Sequence, residues 1–541
     1  MTTKRLDTPG SIPDPETVTP GDEHDVVIVD ARRRLLVLAA MCIALVAVVA
    51  SVSGLNVAQQ ALATDLGATQ SQLLWIINGY TLVLAALLMP VGAIGDRWGR
   101  KPILLIGFVV FSLSNLASAF STEPTTLIGL RVLAGVGAAM IMPVTLSVIT
   151  TSFPREEQAK AIGTWAGFAG AGGIIGLFVS AAIIDNATWP WVFALPIALA
   201  AISFVLTIAF VPHSVEHTEA GFDVAGSILS AVAVGGLVLA FHEGPEQGWN
   251  APITIAALAA GIIGAAVFVA VELRRDHPLL DVRIFAIRGL AAGSINLFVV
   301  FAVMFSLFLV LVQYLQAVLG YSALRAASGL LPMAVMMMPL STIAPTIAER
   351  IGFRRTLVTG MLLMAAGLFT FAMLADPDGG YLSVLPGILL LGAGVGLSMS
   401  PSTAAITASL PEEKQGVASA LNDTVREMGG AVGIALIGSV LNSAYQANIE
   451  PATSALPPAV AEPVNEGIGG ALGVAAQMGA DGTALLDSAR QAFVDGMVPA
   501  LLLAAGLSLA AAIYTALRGP KTAAEAEPRL HPTDQSIQPD S

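Results

Sequence analysis

Apolar residues in this chain come as long unbroken runs rather than as stripes. Fourteen such runs can be marked, near 34–58, 73–94, 102–120, 125–150, 160–184, 190–211, 223–242, 252–272, 288–318, 324–346, 356–374, 381–408, 416–444 and 492–517. As a helix, about 20 residues cross the roughly 30 Å hydrocarbon core of a bilayer, and each run approaches or exceeds that length. The pattern predicts an all-α polytopic membrane protein with fourteen transmembrane helices. The count is weakest at "GLLPMAVMMMPLSTIAPTIAERIG", where prolines interrupt.

Polar residues between the runs supply an independent check. With the N-terminus placed in the cytoplasm, only Arg325 and Arg490 of the 25 Lys and Arg fall outside, and only Arg131 and Arg426 fall within spans. That asymmetry obeys the positive-inside rule and puts both termini on the cytoplasmic side of a plasma (inner) membrane. Trp189, Trp191 and Trp249 fall at predicted outer boundaries, where amphipathic rings prefer to sit.

Composition agrees: 55% of residues are hydrophobic and 12% charged, with mean hydropathy +0.78. The net charge of −13 owes much to an acidic, Pro- and Thr-rich N-terminal segment without helical period. Residues 1–33 are therefore expected as a disordered cytoplasmic tail and 518–541 as a second cytoplasmic tail, and no signal peptide is expected. The single cysteine, Cys42, rules out an intrachain disulfide. The outer segment 445–491 reads as a flexible Ala/Pro linker.

The chain also repeats itself. "DRWGRKPILLIG" starts at Asp96 and "ERIGFRRTLVTG" starts at Glu349, each after an even-numbered span. Both run from an acid through glycine and bases into the next helix. Such repeats mark secondary transporters, whose substrate site lies between the halves.

Three charges inside the thirteenth span carry the candidate chemistry. In "ALNDTVREMGG", Asp423 and Glu427 are four residues apart and share a helix face, with Arg426 on its flank. Measured from Gly416, Asp423 lies about 10 Å and Glu427 about 16 Å into the membrane. One arginine cannot neutralise two acids, and a mid-bilayer charge costs at least about 2.5–3.5 kcal/mol unless it faces a cavity or partner. Burial favours the neutral carboxyl group. Glu427 and Asp423 are therefore candidates both for proton exchange and for attracting a cationic substrate.

"GAIGDRWGRK", residues 92–101, resembles the signature loop between the second and third helices of the major facilitator superfamily. The fourth-span "LIGLRVLAGVGAAMIMP", the second-span "SQLLWIINGYTLVLAALLMP" and the thirteenth-span "GVASALNDTVREMGGAVGIALIGSV" resemble its fourteen-helix drug:proton antiporter branch. The resemblance implies an N-terminal six-helix bundle (34–213), two inserted helices with flanking loops (214–287) and a C-terminal six-helix bundle (288–517). It implies a charge latch in the loop built from Gly92, Asp96, Arg97, Gly99, Arg100 and Lys101, with Glu349, Arg350 and Gly352 as the repeat counterpart. Arg131 is implied in proton transfer, by tuning a nearby acid or ordering water, since Arg itself stays protonated.

Two positions depart from the branch. Ser51 stands where an aspartate often precedes "N-V-A", and Leu177 replaces the proline of the fifth-helix motif. The glycines Gly163, Gly167, Gly170, Gly172, Gly173 and Gly176 still offer a close-packing face. Asn56, Trp75, Asn78, Tyr80, Phe305, Met337 and Asn422 are candidates for a substrate cavity, with Phe298, Tyr314 and Met333 nearby in the same spans. Met and aromatic surfaces suit varied lipophilic ligands.

The expected function is proton-coupled export of lipophilic, possibly cationic drugs or antibiotics by alternating access. Its partners would be protons, small substrates and membrane lipid, with no nucleic acid, and the protein would act as a monomer. No metal site and no cofactor beyond the proton gradient are expected. A membrane enzyme is disfavoured, since there is no Gly-Lys dipeptide for a P-loop and no H-E-x-x-H. A proton-coupled metabolite symporter and a non-transporting receptor on the same scaffold remain open.

Overall fold

The computed structural model describes residues 27–212, 222–454 and 456–520. The two expected tails lie outside these residues except at their inner edges. Residues 27–33 are ordered rather than tail-like: Ile28 is buried and its amide donates to the Ser152 carbonyl at 3.1 Å. Arg34 holds the same segment through the Ile28 and Val29 carbonyls, each at 2.8 Å.

Every predicted span corresponds to one helix, with ends that differ; the span 190–211 opens with a 3-10 turn at Trp189–Phe193. The N-terminal half comprises α1 (Ala31–Leu66), α2 (Gln70–Trp98), α3 (Arg100–Ala119), α4 (Pro124–Ser152), α5 (Arg155–Asn186) and α6 (Ala194–Phe210). An inserted hairpin follows, α7 (Val224–Gln247) and α8 (Pro252–Glu272). Next come α9 (Arg288–Gln313), α10 (Ala323–Ile351), α11 (Phe353–Leu374), α12 (Gly380–Thr407) and α13 (Gln415–Thr453). The chain closes with α14 (Pro458–Glu466), α15 (Ile468–Met478) and α16 (Thr483–Arg518). Among the described residues, 14 helices are long and apolar enough to cross a membrane. The proline-rich tenth span is one continuous helix despite Pro332, Pro339 and Pro345. Neighbouring helices accommodate such prolines inside membrane proteins.

The outer segment 445–491 is not the flexible linker that its Ala and Pro content suggests. α13 continues to Thr453, and α14 and α15 follow before α16 begins. Prolines at first-turn positions, such as Pro458, favour helix starts rather than loops. Val464, Ile468 and Ala471 are buried, and the Tyr445 hydroxyl donates to the Val464 carbonyl at 3.0 Å. An apolar face hidden among small residues thus fastens this segment to the bundle. Trp189 also departs from the interface role predicted for it, being 5% exposed and packed edge-on against Phe193.

The two halves repeat one packing scheme. In the first, α1 packs on α5 and α6, α2 on α4, and α3 on α4 and α6. In the second, α9 packs on α13 and α16, α10 on α12, and α11 on α12 and α16. The halves meet mainly through α5 against α10 and α2 against α13. The hairpin α7–α8 lies outside this seam, with α7 resting on both α2 and α13.

The repeat noticed in the sequence is matched in detail. Gly99 and Gly352 break their chains with φ of 97° and 95°, a region that favours glycine. Lys101 then donates to the Ile208 and Val211 carbonyls at 3.0 and 2.8 Å, closing the end of α6. At the corresponding position, Arg354 donates to the Gly519 carbonyl just past α16. Each base satisfies carbonyls at the negative end of the last helix in its own half.

Candidate functional site

The charges of α13 lie inside the protein. Asp423 and Arg426 form a 3.0 Å ion pair, with side chains 0% and 3% exposed. The Asn422 amide donates to the same Asp423 oxygen at 3.2 Å. Asp423 Oδ2 and Arg426 Nε have no partner among the described residues. The Arg426 guanidinium lies 4.5 Å from the Phe301 ring centre and 5.4 Å from that of Trp165. Trp165 is fully buried and fixed by its indole N–H donating to Thr145 Oγ1 at 3.1 Å.

Glu427, one residue further on, differs from this pair. It is half-buried and makes no hydrogen bond or ion pair among the described residues. Its carboxyl group lies within electrostatic reach of Tyr80 on α2, across the seam between the halves. Thus α13 holds one acid paired directly with Arg426 and one that forms no ion pair among the described residues, with Arg426 within electrostatic reach of both.

Arg131 of α4 also approaches Tyr80, with its guanidinium 4.2 Å from the ring centre. It is fully buried and donates to Ser51 Oγ at 2.9 Å and to the Ser51 and Ile76 carbonyls, both at 3.3 Å. Ser51 Oγ in turn donates to Asn115 Oδ1 at 3.2 Å. Serine in place of an acid therefore leaves this guanidinium surrounded by neutral oxygens and an aromatic face.

Residues of the loop motif join the halves at the basic end. Asp96 pairs with Arg100 at 3.2 Å and accepts from the Gly416 and Val417 amides at 2.7 and 3.1 Å. Those amides open α13, so the acid sits at the positive end of a helix belonging to the other half. Gly92 permits the approach: a Cβ there would meet the Gly416 carbonyl and lie 2.7 Å from Ala420 Cβ. Arg100 also reaches the Glu412 carbonyl at 3.4 Å, and Arg155 pairs with the Glu412 carboxylate at 2.9 Å. Arg97 is half-buried in the last turn of α2. The repeat counterparts form no such junction, since Glu349 and Arg350 are exposed and make no ion pair among the described residues. Where Glu349 would need a helix N-terminus, α5 presents Glu156 and Glu157.

The α5 glycines divide between two neighbours. A Cβ on Gly163 would lie 2.7 Å from the Ser341 carbonyl, one on Gly167 3.3 Å from the Met338 carbonyl, and one on Gly170 2.6 Å from the Met337 sulfur. These three face α10. Gly172, Gly173 and Gly176 face α1, where a Cβ on Gly176 would sit 2.6 Å from Ala50 Cα. With Leu177 in place of proline, α5 runs unbroken from Arg155 to Asn186.

The substrate-cavity candidates do not gather into one surface. Asn56 is exposed and Trp75 and Asn78 are half-buried. Tyr80, Met337 and Asn422 are fully buried, Tyr80 with its hydroxyl donating to the Val48 carbonyl at 3.0 Å. Met337 fills the space over Gly170, and Phe305 covers Gly430 of α13. The Phe298 backbone lies against Gly429, Met333 is buried, and the Tyr314 hydroxyl donates to the Asp376 carbonyl at 3.0 Å. Packing against glycine accounts for the Met337 and Phe305 side chains. Trp165, Phe301, Asn115 and Glu412 are the contributors that sequence reasoning missed. Only Trp165, a large ring in an Ala/Gly-rich helix, carried a local signal. Among the described residues, no group of three or more His, Cys, Asp or Glu is placed to hold a metal.

Known proteins share this architecture. The chain is 34% identical over 453 residues to the multidrug efflux pump LfrA of Mycolicibacterium smegmatis, covering 83% of this chain and 89% of that protein. It is 29% identical to the methyl viologen resistance protein SmvA of Salmonella typhimurium, covering 89% and 97% of the two chains. It is 32% identical to the tetracenomycin C resistance and export protein of Streptomyces glaucescens, over 72% of each. The proton:xylose symporter XylE superposes with TM-score 0.59 at 13% identity, covering 91% of this chain and 97% of XylE. That likeness concerns the fold alone. The Major Facilitator Superfamily profile matches residues 40–434, and with the paired six-helix halves and the loop motif in place, the chain belongs to the Major Facilitator Superfamily.

Proposed function

We propose that this transporter exports lipophilic, cationic drugs or antibiotics in exchange for protons, by alternating access. The observation that carries the reading is Glu427: a carboxyl group inside a membrane helix, half-buried and in no ion pair among the described residues, beside an acid that is paired with Arg426. Such a group binds a proton or a substrate cation, and the two compete for the same negative charge. The relatives named for multidrug efflux and drug resistance support export and a small lipophilic substrate class. Family membership sets the protein among transporters rather than enzymes.

Asp96 and α13 act as a latch on the cytoplasmic side, and Asp423–Arg426 keeps Glu427 beside the seam between the halves. Arg131, stacked on Tyr80, adds a positive field that Glu427 feels once the seam opens. Both termini lie in the cytoplasm and the protein resides in the plasma membrane, as the basic residues at one end of the bundle favour. The proton gradient supplies the energy without a cofactor, and one chain suffices for a cycle.

The test is substrate-driven proton flux in proteoliposomes, with a panel of cationic dyes and antibiotics and a protonophore control. Glu427→Gln is expected to abolish substrate-dependent proton movement, and Asp423→Asn to reduce it. Retained coupled flux in both variants would overturn the assignment of this cluster, and protonophore-insensitive efflux would overturn proton coupling altogether.

A further inference from the structure

The inserted hairpin ends in a knot of buried acids that the transport reading does not use. Asp223 precedes α7 and Glu272 closes α8, at 6% and 2% exposure. Asp223 Oδ1 accepts from the Gly226 amide at 2.7 Å and pairs with Arg275 at 2.7 Å. Its Oδ2 accepts from the Leu279 amide at 3.3 Å. Glu272 Oε2 accepts from the Leu280 amide at 3.1 Å. Three of the four carboxyl oxygens thus have donors.

The fourth, Glu272 Oε1, is buried and has no donor among the described residues. It converges with Asp223 Oδ2 on the Cα of Gly226, where any Cβ would collide with both oxygens. The two side chains are within hydrogen-bonding reach of each other. Ionised carboxylates are acceptors only, so two adjacent oxygens in a dry site repel unless a hydrogen lies between them. Among the described residues, Arg275 is the one cation paired with the acids, and it bonds to the opposite oxygen of Asp223. Of the remaining charged groups of the loop, Arg274, Asp276, His277 and Arg283 are exposed, and Asp281 is half-buried and accepts from the Arg283 amide at 3.0 Å. Arg283 is turned to the Leu273 carbonyl, and Lys414, from the segment before α13, to the Pro278 carbonyl.

We propose that Glu272 carries a proton on Oε1 and donates it to Asp223 Oδ2, so that one shared proton clasps the base of the inserted hairpin. The clasp has a position as well as a chemistry. It fixes residues 275–281, whose Pro278 carbonyl receives Lys414 at 2.8 Å, two residues before the amide that Asp96 holds. The hairpin is therefore tied to the same helix start as the latch. This site is separate from Glu427, and its test does not depend on whether the protein transports anything.

The experiment uses the full-length protein in lipid nanodiscs at neutral pH. Infrared spectra should lose one protonated-carboxyl C=O band in Glu272→Gln. The same band should vanish in Asp223→Asn, whose amide supplies the missing hydrogen, while Glu427→Gln leaves it in place. Hydrogen exchange of the Leu279 and Leu280 amides should stay slow in Glu272→Gln, which retains a donor, and become about tenfold faster in Glu272→Ala. A full set of protonated-carboxyl bands in Glu272→Gln, or exchange in Glu272→Gln as fast as in Glu272→Ala, would overturn the proposal.

Discussion

Ser51 decides the character of the Arg131 site. Its hydroxyl is 2.9 Å from the guanidinium, so the charge is balanced by dipoles alone, and a carboxylate at that position would lie within ion-pairing distance. An uncompensated buried charge is costly, whereas a paired and hydrogen-bonded one is less so. Ser51→Asp is therefore expected to stabilise the fold by about 2 kcal/mol, read as a higher thermal midpoint in detergent, and a lower midpoint than wild type would contradict it. Arg131 was visible in the sequence as a charge in an apolar run. Its bonding to Ser51 and Ile76 was not, because those oxygens come from two other helices. The same holds for Asp423: the pair with Arg426 follows from helical spacing, but burial under Phe301 and Trp165 depends on α9 and α5.

At the scale of elements, glycine separates two kinds of contact along one helix. Gly163 touches the backbone of α10, across the seam, while Gly176 touches the backbone of α1, within its own half. Backbone cannot move aside as a flexible side chain can, so each Gly→Ala change overpacks its contact by about 1–3 kcal/mol. Gly163→Ala is expected to push the halves apart at the basic end with little loss of folding stability. Gly176→Ala is expected to lower the melting midpoint of the whole protein, and distance measurements between spin labels on α5 and α10 distinguish the two. Gly170→Ala meets the flexible end of Met337, its sulfur and terminal methyl, rather than backbone, and should be milder than Gly163→Ala. The helix-end bases make a second prediction at this scale. Lys101→Met and Arg354→Met should each loosen the last turn of α6 or α16 by about 0.3–1 kcal/mol, seen as faster amide exchange there. The repeat that aligns these bases was legible in sequence, but their carbonyl partners were not.

Across the whole molecule, closure of the basic end rests on an unequal pair of junctions. Asp96 is buried against the start of α13, while Arg155 and Glu412 meet in the open, at 84% and 58% side-chain exposure. Exposed pairs contribute only about 0–1 kcal/mol; a buried acid at a helix start carries more, because its amides lose their acceptor when it is removed. Asp96→Asn is expected to open the basic end markedly, and Glu412→Gln only slightly, measured by labelling of a cysteine introduced at Ala420. Equal labelling in the two variants would remove Asp96 from the latch. Among the described residues Glu349 makes no matching junction, so a buried acid holds the α2–α13 side of the basic end and none holds the α5–α10 side.

The sequence by itself determined the number of spans, the doubling of the six-helix unit and the positions of the charges along their helices. These follow from run length, from periodicity and from the scarcity of ionisable residues in hydrocarbon, all local properties. It misjudged residues 445–491, where composition suggested a linker and burial of Val464, Ile468 and Ala471 produced helices. It also offered Tyr80 and Met337 to a cavity, although both are sealed by packing. Only the tertiary structure decided which rings bury the Asp423–Arg426 pair, which helix start Asp96 holds and where Asp223 meets Glu272. Each of these depends on atoms far apart in the chain, and distance along a sequence does not specify distance in space.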